Sequence, residues 1–288
     1  MTLWRERLRV PFMLSPALAV ILMLFMGGLV MGVMQSLGYM PIIGRYDLTL
    51  DAYRNIFTRE DFYRSLIFTV WIGFASTVLS TILAIGCALV LRQAFRGKRG
   101  VTFIFQFNIP IPHIVGAIGI LFLFSQSGFL ARMANAVHII NEPSDFPALV
   151  YDRYAIGIIL EYVWKTTCFT GVIVLAVLQS IGEDYEDLAR TLGANRWQRF
   201  RYVVLPLIMP GVLSSSILVF AFTFGAFEIP FLLGQRYPSA LPVLAFRNYT
   251  NVDLNARPDA MAMSVFIAVM ITVLIFIYMK VTRAYLRE

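Results

Sequence analysis

Apolar residues gather into six long runs along the 288-residue chain, at about 12–34, 66–91, 103–124, 155–178, 207–233 and 260–279, with polar segments between them. An α-helix rises about 1.5 Å per residue, so roughly 20 apolar residues cross the hydrocarbon of a bilayer. Each run meets or approaches that length. The pattern predicts an all-α membrane protein, a single transmembrane domain over residues 1–288 with six helices. An even number of crossings puts both termini on one side. The first run is longer than the apolar core of a secretory signal and lacks a small-residue cleavage site, which makes it a retained span.

Composition agrees with the pattern. Hydrophobic residues make up 59% of the chain and charged residues 14%, and the mean hydropathy is +0.73, far more apolar than an ordinary soluble domain. The net charge of +7 comes from basic residues scattered over short loops, with no continuous basic face to suit a nucleic acid. Their distribution instead sets orientation. Fourteen Lys and Arg lie in the four terminus-side segments against nine in the three opposite loops. Positive residues are retained in the cytoplasm, so both termini and the loop 179–206 are predicted to be cytoplasmic, with the chain in the inner membrane. Cys87 and Cys168 fall in apolar runs, where they read as packing residues rather than a disulfide. His113 and His138 have no second His or Cys at ligand spacing, so no metal site is predicted.

The most patterned polar segment is EDYEDLARTLGANRWQRFRYVVLP, residues 183–206. Tyr185, Leu188, Ala189 and Leu192 recur at i, i+3, i+4 and i+7, one stripe along a short helix. Trp197, Phe200 and Val204 continue a second stripe. Gly193 lies between them as a break, because glycine accepts backbone angles that other residues resist. Glu183, Asp184, Glu186 and Asp187 suit the positive N-terminal end of the first helix dipole. Two short amphipathic helices with a bend are predicted, and Pro206 and Pro210 mark a helix start where the chain re-enters the membrane. On amphipathicity alone the pair could equally lie flat on lipid headgroups.

Here the sequence resembles the permease subunits of ABC importers of the type I fold. Their signature runs EAAxxxG, nine residues, then IxLP. Asp187, Leu188 and Ala189 stand at the EAA positions, Gly193 is the glycine, Ala194 to Tyr202 are the nine residues, and Val203, Leu205 and Pro206 complete it. The departures are Asp for Glu, Leu for the first Ala, and Val for Ile. The loop also falls between the fourth and fifth of six spans, as in six-span members. The stretches LTLDAYRNIF, FNIPIPHIVGAIGIL and PLIMPGVLSSSILVFAFTFGAFEIPFLLG are similar to the polyamine-importing branch. The resemblance implies coupling to an ATPase through Glu186, Asp187, Leu188, Ala189, Leu192, Gly193, Ala194, Trp197, Leu205 and Pro206. It also implies a pair of permeases with the solute route between them.

No P-loop is present: Gly97-Lys98 is followed by Arg99, and Lys165 and Lys280 lie outside any GxxxxGK[ST]. ATP and Mg are therefore expected on a partner ATPase, with no cofactor and no catalytic residue in this chain. Ionisable groups inside spans are costly and often functional. Glu161 and Lys165 have the i, i+4 spacing of a helical ion pair; an internal salt bridge and contact with a solute both remain open. Glu228 lies near the outer end of the fifth span without a same-helix cation, facing either the pathway or an outer-loop arginine. Asn108, Pro110, Pro112 and His113 predict a kinked third span, since freed carbonyls at membrane depth must be buried in protein or face a wet cavity.

Together these features predict an importer permease moving a small hydrophilic solute, with putrescine or spermidine the first expectation and phosphonate, thiamine or ferric iron open. The expected partners are an ATPase dimer, a second and related permease, an extracytoplasmic solute-binding protein at the outer loops 35–65, 125–154 and 234–259, and lipid. A self-sufficient secondary transporter would need inverted repeats, which are not evident. A membrane enzyme would need a catalytic cluster, which is not evident either.

Overall fold

The structure, a computed structural model, describes residues 2–93, 96–182 and 184–285, with side chains over 13–93, 96–182 and 184–280. Glu183, Arg287 and the side chains of Arg5, Arg7, Arg9 and Arg283, used above for capping and orientation, lie outside this set. Among the described residues there is no strand, and thirteen α-helices carry the fold. In chain order they begin with α1 (Thr2–Ser36), α2 (Asp51–Thr58), α3 (Glu60–Arg92), α4 (Lys98–Phe107) and α5 (His113–Phe124). There follow α6 (Phe129–Ala136), α7 (Ile156–Ile181), α8 (Asp184–Thr191) and α9 (Arg196–Arg199). The last four are α10 (Leu205–Gly225), α11 (Glu228–Leu233), α12 (Leu241–Tyr249) and α13 (Arg257–Tyr285).

Six helical segments among the described residues are long and apolar enough to cross a membrane: Met13–Ser36, Glu60–Arg92, His113–Ala136, Ile156–Ile181, Arg196–Gly225 and Leu254–Lys280. Two depart from the sequence reading. The third run does not make one kinked helix; it breaks at 108–112 into α4 and α5, and the span-length segment lies C-terminal to the break. Pro110 and Pro112 lack amide protons, and each pushes its preceding residue toward extended angles, so two in three positions stop a helix rather than bend it. The fifth span begins at Arg196, well before Pro206, and ends at Gly225, with α11 a separate short helix.

The chain divides into two compact units. In Met1–Phe62 with Leu244–Ala268, α2 is tied to the end of α1 by a 2.8 Å hydrogen bond between the Ser36 and Tyr53 hydroxyls. Ala52 and Ile56, four apart, are its buried face. Phe57, Phe62 and Phe266 pack edge-on, with ring centroids 5.3–5.8 Å apart.

In Tyr63–Val243 with Val269–Glu288, α7 is central. It is the least apolar of the six spans and the most buried, so its polar residues face protein rather than lipid. One core joins Phe68, Ile72, Ile120, Ile158, Tyr162, Ile229 and Leu233; another joins Leu91, Val174, Leu178, Val204 and Ile208. Lipid is as apolar as leucine, so close packing must hold such helices together. Gly116 permits it between α5 and α7: a Cβ there would sit 2.8 Å from the Trp164 ring and 3.2 Å from Glu161 Oε1.

Candidate functional site

The break between α4 and α5 exposes carbonyls of residues 108–111, just beyond the negative end of the α4 dipole. Lys165 on α7 takes them. Its Nζ donates to the carbonyl oxygens of Asn108 (2.7 Å) and Ile111, with Ile109 at 3.5 Å. Asn108 returns the link, its Nδ2 donating to the Trp164 carbonyl at 2.7 Å. The i, i+4 expectation for Glu161 and Lys165 is thus replaced by two separate arrangements. Glu161, fully buried, pairs with His113 at the start of α5, Nδ1 to Oε1 3.0 Å. Its Oε2 and the neighbouring Tyr162 hydroxyl are buried without a hydrogen-bond partner among the described residues. The helical spacing was right, but both side chains reach across to α4 and α5, where the broken backbone and an imidazole offer nearer partners.

A cavity of about 520 Å³ opens at this break, lined by Ile109 to His113, Lys165, Thr166, Phe169, Leu218, Val219 and Phe222. The His113 and Phe222 rings lie 4.9 Å apart, closing one wall. Asn108, His113, Glu161 and Lys165, picked separately from the sequence, therefore form one polar cluster at one cavity. Glu228 does not line it; it is exposed in the first turn of α11. Trp164 and Thr166 were missed, since an aromatic or hydroxyl residue alone in an apolar run carries no signal of its own.

The polar loop is built as tightly as its pattern suggests. Gly193 is in the left-handed region (φ +82°) and closes α8 with two hydrogen bonds, Ala194 N–H to Ala189 and Gly193 N–H to Arg190, each 3.0 Å. This is the paired arrangement that satisfies the last carbonyls of a helix. Asn195 and Gln198 then cap the next helix reciprocally, at 2.8 and 2.9 Å. The second predicted short helix is not separate: α9 runs through a π turn at Phe200–Val204 into α10. Pro206 supplies the reason. Its ring would strike the carbonyl four residues back, and a locally wider turn relieves this.

Tyr185, Leu188, Leu192 and Trp197 are exposed, Leu192 at 81%, whereas Ala189, Ala194 and Leu205 are half-buried and Val204 is in the core. Asp187 is exposed and paired loosely with Arg190 at 3.6 Å. Glu186 instead faces inward. Arg92, at the end of α3, donates both to its carboxylate and to the Gly182 carbonyl at the end of α7. From the sequence Arg92 counted only toward orientation; with its acidic partner 94 residues away, it carried no local signal of this contact.

The fold and the site together define an all-helical, multi-pass membrane protein with a broken span at an internal cavity. The chain belongs to the family of binding-protein-dependent transport system inner membrane components, which matches residues 76–287. It is thus a multi-pass inner-membrane permease subunit of an importer whose ATPase is a separate subunit. The chain is 26% identical over 84% of its length to the trehalose/maltose transport system permease protein MalF of Thermococcus litoralis, covering 80% of that protein. It is 30% identical over 57% of its length to the molybdenum transport system permease protein ModB of Mycobacterium tuberculosis, covering 58% of it. To the putrescine transport system permease protein PotI of Escherichia coli it is 26% identical over 67%, covering 61%. Its fold matches a chain of a bacterial ABC transporter involved in the import of the acidic polysaccharide alginate, with TM-score 0.81, 20% identity and 99% of both chains covered.

Proposed function

We propose that this permease pairs with a second, related permease, receives a small hydrophilic solute from an extracytoplasmic binding protein, and passes it inward when an ATPase dimer engages the loop 179–206 at the cytoplasmic face. Both termini are then cytoplasmic. The observation that carries this reading is the loop itself. Tyr185, Leu188, Leu192 and Trp197 are large apolar side chains held exposed on a doubly capped backbone, a surface that costs solvation unless a partner covers it. Asp187, Ala189, Gly193, Leu205 and Pro206 hold the signature spacing around them. Asn108, His113, Glu161 and Lys165 are proposed to border the solute route, and Glu228 to stand at its outer end.

A polyamine is the solute suggested by the sequence resemblance, with the putrescine permease in support. Trehalose/maltose and molybdenum permeases are as similar. The test of the importer reading is reconstitution in proteoliposomes with and without the co-purifying ATPase. Uptake is expected only with the ATPase and ATP; substantial uptake by this chain alone overturns the reading.

A further inference from the structure

Basic residues crowd a second cavity, of about 510 Å³, between the loop 179–206 and the end of α3. Its lining carries Arg92, Arg190, Arg196 and Arg199 against two acids, Glu186 and Asp187. Arg92 already donates to the Glu186 carboxylate and the Gly182 carbonyl. Arg190 stands 3.6 Å from Asp187, too far for a hydrogen bond, with the two side chains 68% and 64% exposed. Arg196 and Arg199 make no ion pair among the described residues. The Nε of half-buried Arg199 is shut from water and has no hydrogen-bond partner among them either. Arginine keeps its charge in a protein, so the lining holds two positive charges in excess. A buried N–H without an acceptor is costly, and an oxyanion in the cavity removes that cost.

The rest of the wall says what carries the oxyanion. Leu89 near the end of α3, and Phe200 and Val204 on the π turn that leads into α10, line the same cavity and are apolar. They lie toward the ends of two segments long enough to span a membrane, where hydrocarbon gives way to headgroups. Trp197 and Tyr202 beside them are exposed, and the Trp197 and Phe200 ring centroids are 5.7 Å apart. Tryptophan and tyrosine favour that level of a bilayer. The direction of the cavity fits the same source. With about 3.6 residues per turn, Glu186, Asp187 and Arg190 centre on the side of α8 opposite the exposed stripe of Tyr185, Leu188 and Leu192. An ATPase that covers the stripe thus leaves the arginines facing elsewhere. Free phosphate would use the arginines and leave the apolar wall bare; an amphiphile uses both.

We infer that this cavity holds the phosphate of an anionic phospholipid, with its glycerol end against Leu89 and Phe200. Guanidinium forks match phosphate oxygens in pairs, and basic pockets at the cytoplasmic ends of membrane helices suit anionic headgroups. The inference rests on the placement of the loop 179–206 at the cytoplasmic face proposed above. It is tested without solute or ATP, so the two readings fail separately. The assembled transporter is purified in detergent and given equal amounts of phosphatidylglycerol and phosphatidylcholine with the same acyl chains, and the retained lipid is measured by native mass spectrometry. Phosphatidylglycerol is expected to be retained about tenfold over phosphatidylcholine. The double variant Arg196→Gln with Arg199→Gln should bring the two lipids near parity, whereas Arg196→Lys with Arg199→Lys keeps the charge and should keep about half of the preference. Should the double Gln variant not assemble, Arg199→Gln alone decides in its place, with at least half of the preference lost. Equal retention of both lipids by the native protein, or an unchanged preference in the Gln variants, overturns the assignment. Displacement of the lipid by millimolar inorganic phosphate overturns it in favour of a free anion. Retention by the permease pair that vanishes when the ATPase joins overturns it in favour of an acidic partner. None of these outcomes bears on whether uptake needs ATP, which tests the importer reading.

Discussion

Gly193 shows how a single backbone angle carries the proposed docking loop. A Cβ at this position would meet nothing within 4 Å, so a side chain is not excluded by crowding inside the chain. The constraint is the left-handed φ of +82°, which costs an ordinary L-residue about 1–2 kcal/mol and asparagine less. Two substitutions separate this from close approach to the ATPase. Gly193→Val is expected to insert normally in the membrane yet retain markedly less ATPase on purification, while Gly193→Asn retains most of it. Equal loss in both variants would show that the ATPase, not the turn, forbids the side chain. The break itself was legible in the sequence, because glycine between two apolar stripes has few other uses. The partners of Lys165 were not: backbone carbonyls carry no sequence signal until a helix breaks to release them.

At the scale of elements, one guanidinium ties three helices together. Arg92 ends α3, reaches the carbonyl that ends α7, and holds Glu186 in α8. The pair is only partly exposed, at 13% and 25%, so solvent screens it less than a surface ion pair. A push on α8 from an ATPase would thus reach two membrane helices through one contact. Arg92→Ala should leave assembly intact but raise the ATP hydrolysed per solute carried, measured as ATPase and uptake in the same proteoliposomes. The exchange Arg92→Glu with Glu186→Arg should recover part of the coupling, because it restores the charge pair though not the Gly182 contact. An unchanged ratio in Arg92→Ala would remove the tie from the coupling route. The loop's first helix was readable from its stripe. The second was misread as separate because Pro206 resembles a helix start, and a π turn that carries a helix past proline has no pattern of its own.

For the whole molecule, six segments among the described residues are long and apolar enough to cross a membrane, and an even number of crossings predicts both termini on one side. The excess of Lys and Arg predicts that this side faces the cytoplasm. A reporter that fluoresces only in the cytoplasm, fused after Glu288, should be bright. Fused within 137–147 in place of everything that follows, it should be dark. The reverse pattern would invert the orientation and put the loop 179–206 out of reach of any ATPase.

The sequence alone determined the membrane class, the number of spans, the bend at Gly193 and the spacing of the coupling signature. Each is a property of order along one dimension: apolar length, helical period, or residues at fixed offsets. Tertiary structure decided that the third span breaks, and that Glu161 meets His113, 48 residues away, rather than Lys165 on its own helix. It likewise sent Lys165 to a carbonyl 57 residues away and Arg92 to an acid 94 residues away. Buried charges take whichever partner satisfies them best in a medium without water, and which groups are within reach is fixed only once the helices have packed.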